Sequence, residues 1–258
     1  MKVTRILICE DSLEGILSAV YEAYVSRYGL HDIRVQIGES DPEFFTEQVV
    51  VETNLESAVK VADAIKQKMS AEAFSWIRNA ACAANKDKAH AIYRMIVYGL
   101  HMGPQVLSCL WEPSVLLVSR LSRQVWRETQ HLYGFVRFKT LTQNFLYAEI
   151  NPKHRQLELI ADHFADRFSC EHWMICDEVR HMACIHGAGQ SCVFIRYNKK
   201  SDLLPEASEI SAADDFEQLW LSFVDAVTID QRHNPKQQMT MLPKFYWKHM
   251  LEMRRKLL

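Results

Sequence analysis

The sequence predicts an α+β fold: a small N-terminal α/β portion, a helical middle, and an antiparallel β-sheet with packed helices in the C-terminal half. Two observations lead there. Short apolar runs rich in β-branched residues occur beside long stretches of helical period. They mix without regular β-α-β alternation, which argues against a doubly wound sheet.

Residues 3–9 form the first strand. A helix over 12–28 puts Leu13, Ile16, Leu17, Val20, Tyr21 and Tyr24 on one face. Ser12 is placed to accept an early helical N–H, and Gly29 suits a left-handed stop. Residues 33–37 and 47–52 read as strands. Thr53 with Glu56 makes a capping-box pattern that opens a helix to Met69. Residues 71–102 read as helical throughout, ending at Gly103-Pro104. A helix over 114–132 turns Leu117, Leu121, Val125, Thr129 and Leu132 toward the core.

The pattern then changes. Residues 135–139 and 145–150 alternate like strands, and 157–168 is helical with Leu157, Ile160, Ala161, Phe164 and Phe168 on one side. Residues 173–176, 182–186 and 192–197 are short strands, the last two joined by a Gly187-Ala188-Gly189-Gln190 loop. A final amphipathic helix over 214–232 uses Phe216, Trp220, Phe223 and Val227, and Asn234-Pro235 breaks it. The domain division falls at 84/85, giving an N-terminal α/β and helical portion, 1–84, and a core domain with a basic C-terminal segment, 85–258.

Composition narrows the function. With 48% hydrophobic and 24% charged residues, the 258-residue chain packs as an ordinary globule. A net charge of −2 excludes a histone-like binder but permits a basic face. No run suits a secretory signal or a membrane span. Seven cysteines without a C-x-x-C pair predict a reduced, cytoplasmic protein whose thiols are small core residues.

Residues 163–192 are rich in His163, Cys170, His172, Cys176, His181, Cys184, His186 and Cys192. Two Cys-x-His pairs could make a zinc site, but the spacing is loose. Core cysteines and surface histidines explain it better, so no metal is expected. His163, Arg167, Asp177 and Arg180 could bind an anion or act in acid–base chemistry, or form a structural salt-bridge cluster. Arg120, Arg123 and Arg127 share a helical face, and Arg137 and Lys139 follow. From Pro113 to Lys139 only Glu128 opposes them. Lys244-Phe245-Tyr246-Trp247-Lys248 interleaves aromatics with lysines. These residues could neutralise phosphates and stack on bases, or be a solvated helix face and a docked tail.

The run D-A-V-T-I-D-Q-R-H-N-P-K-Q-Q-M-T-M-L-P-K-F-Y-W-K-H-M-L-E at 225–252 resembles the C-terminal signature of a bacterial family of domains of unknown function. G-F-V-R-F at 134–138, L-Y-A-E-I-N-P-K-H at 146–154, H-F-A-D-R-F at 163–168, W-M-I-C-D-E-V-R at 173–180 and D-S-L-E-G-I-L-S-A-V at 11–20 match in order. The resemblance implies a DNA-metabolism or DNA-repair role beside a radical-SAM protein, sometimes joined to a uracil-DNA-glycosylase-like domain. The motif positions it carries over are Arg137, His163, Arg167, Asp177, Arg180, Arg232, Asn234, Tyr246, Trp247 and Glu252. Ahead of G-F-x-R-F the family has His before a basic residue, where this chain has Gln130-His131.

The leading expectation is a DNA-binding accessory of a repair or modification system. Its contacts are Arg120, Arg123, Arg127, Arg137, Lys139, Lys244, Trp247 and Lys248. The radical-SAM partner holds the iron–sulfur cluster, and this chain carries no cofactor. The alternatives are a glycosylase- or nuclease-like enzyme using His163, Asp177, Arg180, Arg232 and Asn234, or a protein–protein adaptor without DNA contact.

Overall fold

The computed structural model describes residues 4–26, 29–38, 44–142, 145–199, 203, 215–229 and 234–254. It divides into two compact units, Met1–Arg127 and Glu128–Leu258. The predicted division at 84/85 lies inside the first of them.

In the first unit, β1 (Thr4–Cys9) lies between β2 (Ile33–Ile37) and β3 (Thr46–Val50), all parallel. Ile6 and Leu7 point to opposite faces and both are fully buried, as a central parallel strand requires. Helix α1 (Leu13–Val25) starts where Ser12 accepts the Gly15 N–H. Helix α2 (Leu55–Lys68) is capped by Asn54, which accepts from Ser57, and not by the predicted Thr53. Thr53 instead donates to Glu10 Oε2.

The helical stretch 71–102 is broken into α3 (Ala71–Ala81) and α4 (Lys88–Met102). No Gly or Pro marks the break. The buried Lys88 ammonium organises it, bonding the Ala83 carbonyl at 2.8 Å and Asp11 at 2.6 Å. Gly103 takes φ +67°, a backbone that side chains rarely adopt, and opens a 3₁₀ turn, Gly103–Ser108. Helix α5 (Pro113–Phe135) contributes to both units.

In the second unit a five-stranded sheet runs β4-β5-β6-β7-β8: Lys139–Thr142, Phe145–Ile150, His172–Asp177, Met182–His186 and Val193–Arg196. It is antiparallel except at β5–β6, which are parallel and joined through α6 (Leu157–Arg167). One sheet face packs Ala148, Ile150, Trp173, Ile175 and Cys184 against Leu157, Ile160, Ala161 and Phe164. The other carries Leu141, Tyr147, Met174, Cys176 and Ala183.

Residues 135–139 are not a strand. Helix α5 continues to Phe135, which packs against Trp247, Met250 and Met253, and strand pairing begins at Lys139. The final predicted helix is α7 (Asp215–Val227). Asn234 does not end it. Asn234 caps a new helix, α8 (Pro235–Met241), accepting from Gln237 with Pro235 in the first turn. A 3₁₀ segment, Lys244–His249, and α9 (Leu251–Arg254) follow.

Candidate functional site

The parallel β5-α6-β6 pair sends two chain ends out of the same sheet edge, where ligands commonly sit. After β5 comes the loop 151–156, and after β6 the turn 178–181. Two polar clamps shape them.

The first clamp is Glu128, a buried carboxylate near the end of α5. It accepts from the backbone N–H of Lys153 at 2.7 Å and of His154 at 2.9 Å, and from Gln156 Nε2 at 3.1 Å. Thr129 donates to Gln156 Oε1. The second clamp is Asp177 with Arg180. Asp177 Oδ1 accepts from the Val179 and Arg180 N–H groups, and Oδ2 pairs with Arg180 Nη1 at 3.1 Å. Arg180 then donates to the carbonyls of Pro152 and Lys153. Burial pushes the Asp177 carboxyl above its usual range, although Arg180 pulls the other way.

Between these clamps and the C-terminal segment lies a cavity of about 500 Å³. Its wall includes His131, Asn151, Lys153, Val179, Phe245 and Tyr246. His131 meets the Tyr246 ring edge-on at 5.7 Å. Three separate motif segments, with His131 just ahead of a fourth, supply this wall, which is mostly apolar with an amide and an ammonium group, and suits a flat ligand.

The enzyme candidates named from sequence are not gathered here. Asp177 and Arg180 hold the wall from behind. His163 stacks on Tyr133 at 4.0 Å. Asn234 is an exposed helix cap. Arg232 lies outside the described residues. Sequence reasoning missed Asn151 and Lys153 as lining residues, whereas Phe245 stood within the basic–aromatic segment 244–248. The signal for Asn151 and Lys153 was their membership of the N-P-K-H motif.

The predicted nucleic-acid contacts also separate. Arg120, Arg123 and Arg127 are exposed on α5, and Arg123 folds back onto Ser119. Trp126, three residues beyond Arg123 and on the same flank, is 55% exposed; the sequence reading missed it. Glu128, the one acid of the stretch, is turned into loop 151–156. Arg137 is engaged internally: its Nη2 pairs with Glu252 at 2.8 Å, and its guanidinium lies over the Trp220 ring. Lys139 is half-buried on β4. Trp247 is 6% exposed and donates to the Leu242 carbonyl, so it cannot stack on a base. Lys248 bonds Glu178 at 2.6 Å. Lys244 is exposed.

The Cys/His-rich stretch splits by strand period. Cys184 lies on the helix-covered sheet face and Cys176 on the other. His186 stacks on Trp173 and contacts the Glu171 carbonyl, while His172 accepts from Ala188. Burial pushes the Cys9 thiol up to about 12 and raises Cys184 as well, so both behave as core residues.

Fold and site together define an α+β domain with a mixed five-stranded sheet and a motif-lined cavity at one sheet edge. The chain belongs to the family of the domain of unknown function DUF4130, whose model matches residues 86–252. No curated protein matches the sequence. A solved structure described as a member of the s1p family of ribosomal proteins, DHH domain, is similar at 9% identity. That similarity covers 72% of this chain and 74% of the other with a TM-score of 0.34, a level that says nothing about function. Among the described residues, no helix is long and apolar enough to cross a membrane.

Proposed function

We propose that the protein is a nucleic-acid-binding accessory of a DNA repair or modification system. It works beside a radical-SAM enzyme, which holds the iron–sulfur cluster. The observation that carries the nucleic-acid reading is the α5 stripe of Arg120, Arg123 and Arg127 around the exposed Trp126. Three cations within two turns repel one another mildly unless an anion offsets them, and an exposed indole offers a stacking platform. The radical-SAM partner rests on the family resemblance. Helix α7 presents Leu219, Phe223 and Val227 to solvent at helical spacing, a stripe of the kind protein partners cover.

Three phosphate contacts on α5 give a log K against log salt slope of about −2.7 for duplex DNA. Changing Arg120, Arg123 and Arg127 to Glu abolishes that binding and leaves the melting temperature nearly unchanged, since exposed charges contribute little to folding. A wild-type chain without salt-dependent DNA affinity would remove the assignment. Co-purification with the neighbouring radical-SAM protein tests the partner.

The cavity favours a second reading, a glycosylase- or nuclease-like enzyme acting on a base or nucleotide. Its volume and its aromatic and amide lining suit one extruded base. Incubation with uracil-containing, abasic and ultraviolet-damaged DNA, compared with a Lys153→Ala, Phe245→Ala variant, separates the two: turnover lost in the variant favours the enzyme.

A further inference from the structure

Glu149 is on β5, Glu178 follows β6, and His249 ends the 3₁₀ segment Lys244–His249. Strand period brings the first two together. In the parallel register Glu149 pairs with Cys176, so Glu149 and Cys176 share a sheet face with Glu178, two residues on. One ligand atom from each of Glu149, Glu178 and His249 lies within 4.8 Å of the others.

His249 supplies the second, independent observation. Its side chain is only 10% exposed, and Nε2 is buried without a hydrogen bond. That nitrogen lies 3.5 Å from Glu178 Oε2, while Nδ1 lies 3.6 Å from Glu149 Oε2. A buried imidazole nitrogen left unbonded is costly, and here Nε2 faces the Glu178 carboxylate while the ring's other nitrogen faces Glu149. Tyr147 donates to Glu149 Oε1 at 2.9 Å and holds that carboxylate in place. Lys248 sits on Glu178 at 2.6 Å, but its side chain is 61% exposed. It marks where positive charge is drawn and can swing into solvent.

We propose that Glu149, Glu178 and His249 bind one first-row divalent cation, with Tyr147 orienting Glu149. Two carboxylate oxygens and one imidazole suit Mn²⁺, Fe²⁺ or Zn²⁺. Such ions take these ligands at about 2.0–2.2 Å, so the side chains close in by under about 1 Å. Three protein ligands leave positions for water or a phosphate oxygen. Asn151, Val179 and Tyr246, each within three residues of a ligand, line the cavity, so the ion neighbours it.

The test titrates the EDTA-treated full chain with MnCl₂ and follows the free Mn²⁺ resonance, with no nucleic acid present. Its outcome is therefore separate from that of the DNA-binding assignment. The wild type takes up one equivalent. Glu149→Gln and Glu178→Gln each abolish uptake, and Tyr147→Phe weakens it by about 10- to 100-fold. Lys248→Ala, which removes the ammonium that competes for Glu178, binds as tightly or more tightly. No uptake by the wild type at several-fold excess Mn²⁺ overturns the site. So does uptake that survives both glutamine changes, or that falls in Lys248→Ala.

Discussion

Arg137 and Glu252, 115 residues apart, are joined by two hydrogen bonds, Nη2 to Oε1 at 2.8 Å and Nε to Oε1 at 3.3 Å. Glu252 Oε2 also accepts from the Trp220 indole. One carboxylate thus ties the end of α5 to α7 and α9. Both residues belong to family motifs, and their pairing gives those motifs a structural reason.

Burial acts to raise the Glu252 carboxyl, but Arg137 and Trp220 outweigh it and hold the carboxyl below its ordinary value of 4.5. A lowered carboxylate contributes stability that is present above that ordinary value and is lost as pH falls through the folded one. Glu252→Gln should therefore destabilise the protein at pH 7 by about 1.5–3 kcal/mol. Its melting temperature should also fall less steeply with acid than the wild type's. Thermal melts from pH 7 downward check both.

Arg180 and Asp177 behave in the opposite sense. The Asp177 carboxyl is already raised by burial, and removing the Arg180 side chain leaves only the Val179 and Arg180 backbone N–H groups to oppose it. A raised carboxyl contributes stability at low pH that is lost as pH rises through the folded value. The deficit of Arg180→Ala relative to wild type should grow between about pH 4 and pH 7. A pH-independent deficit would mean that only the carbonyl contacts of Arg180 matter.

Glu128 is the buried anchor of loop 151–156. Glu128→Ala strands three donors, at about 1–3 kcal/mol for each buried group left unpaired, and should cost at least about 3 kcal/mol. Glu128→Gln keeps acceptor oxygen and should cost less. Denaturant midpoints at constant m-value measure the two.

Trp126 tests stacking apart from charge. Trp126→Ala should weaken single-stranded oligonucleotide binding by about 1–3 kcal/mol. The salt slope should stay unchanged, because no phosphate contact is removed. Unchanged affinity would leave the arginines as the whole interface.

The sequence alone determined the elements whose signals are local. Strand 33–37 announced itself by β-branched alternation, 145–150 and 182–186 by short apolar runs, and α1 and α6 by an apolar face of helical period. The α+β class followed from their mixture. What failed depended on distant partners. F-V-R-F alternates like a strand, yet Phe135 stays helical because residues more than 100 positions away cover it. The α3–α4 break is made by a buried lysine, which no local pattern reveals. The site was legible as motifs but not as roles. Arg137, Trp247 and Lys248 looked like nucleic-acid contacts because charge and aromaticity are visible in a sequence. Burial and ion pairing are not, and the fold turned all three toward Glu252, Leu242 and Glu178. The meeting of Glu149, Glu178 and His249 was likewise decided by tertiary structure, because parallel strand register and a returning C-terminal segment set distances that spacing along the chain does not contain.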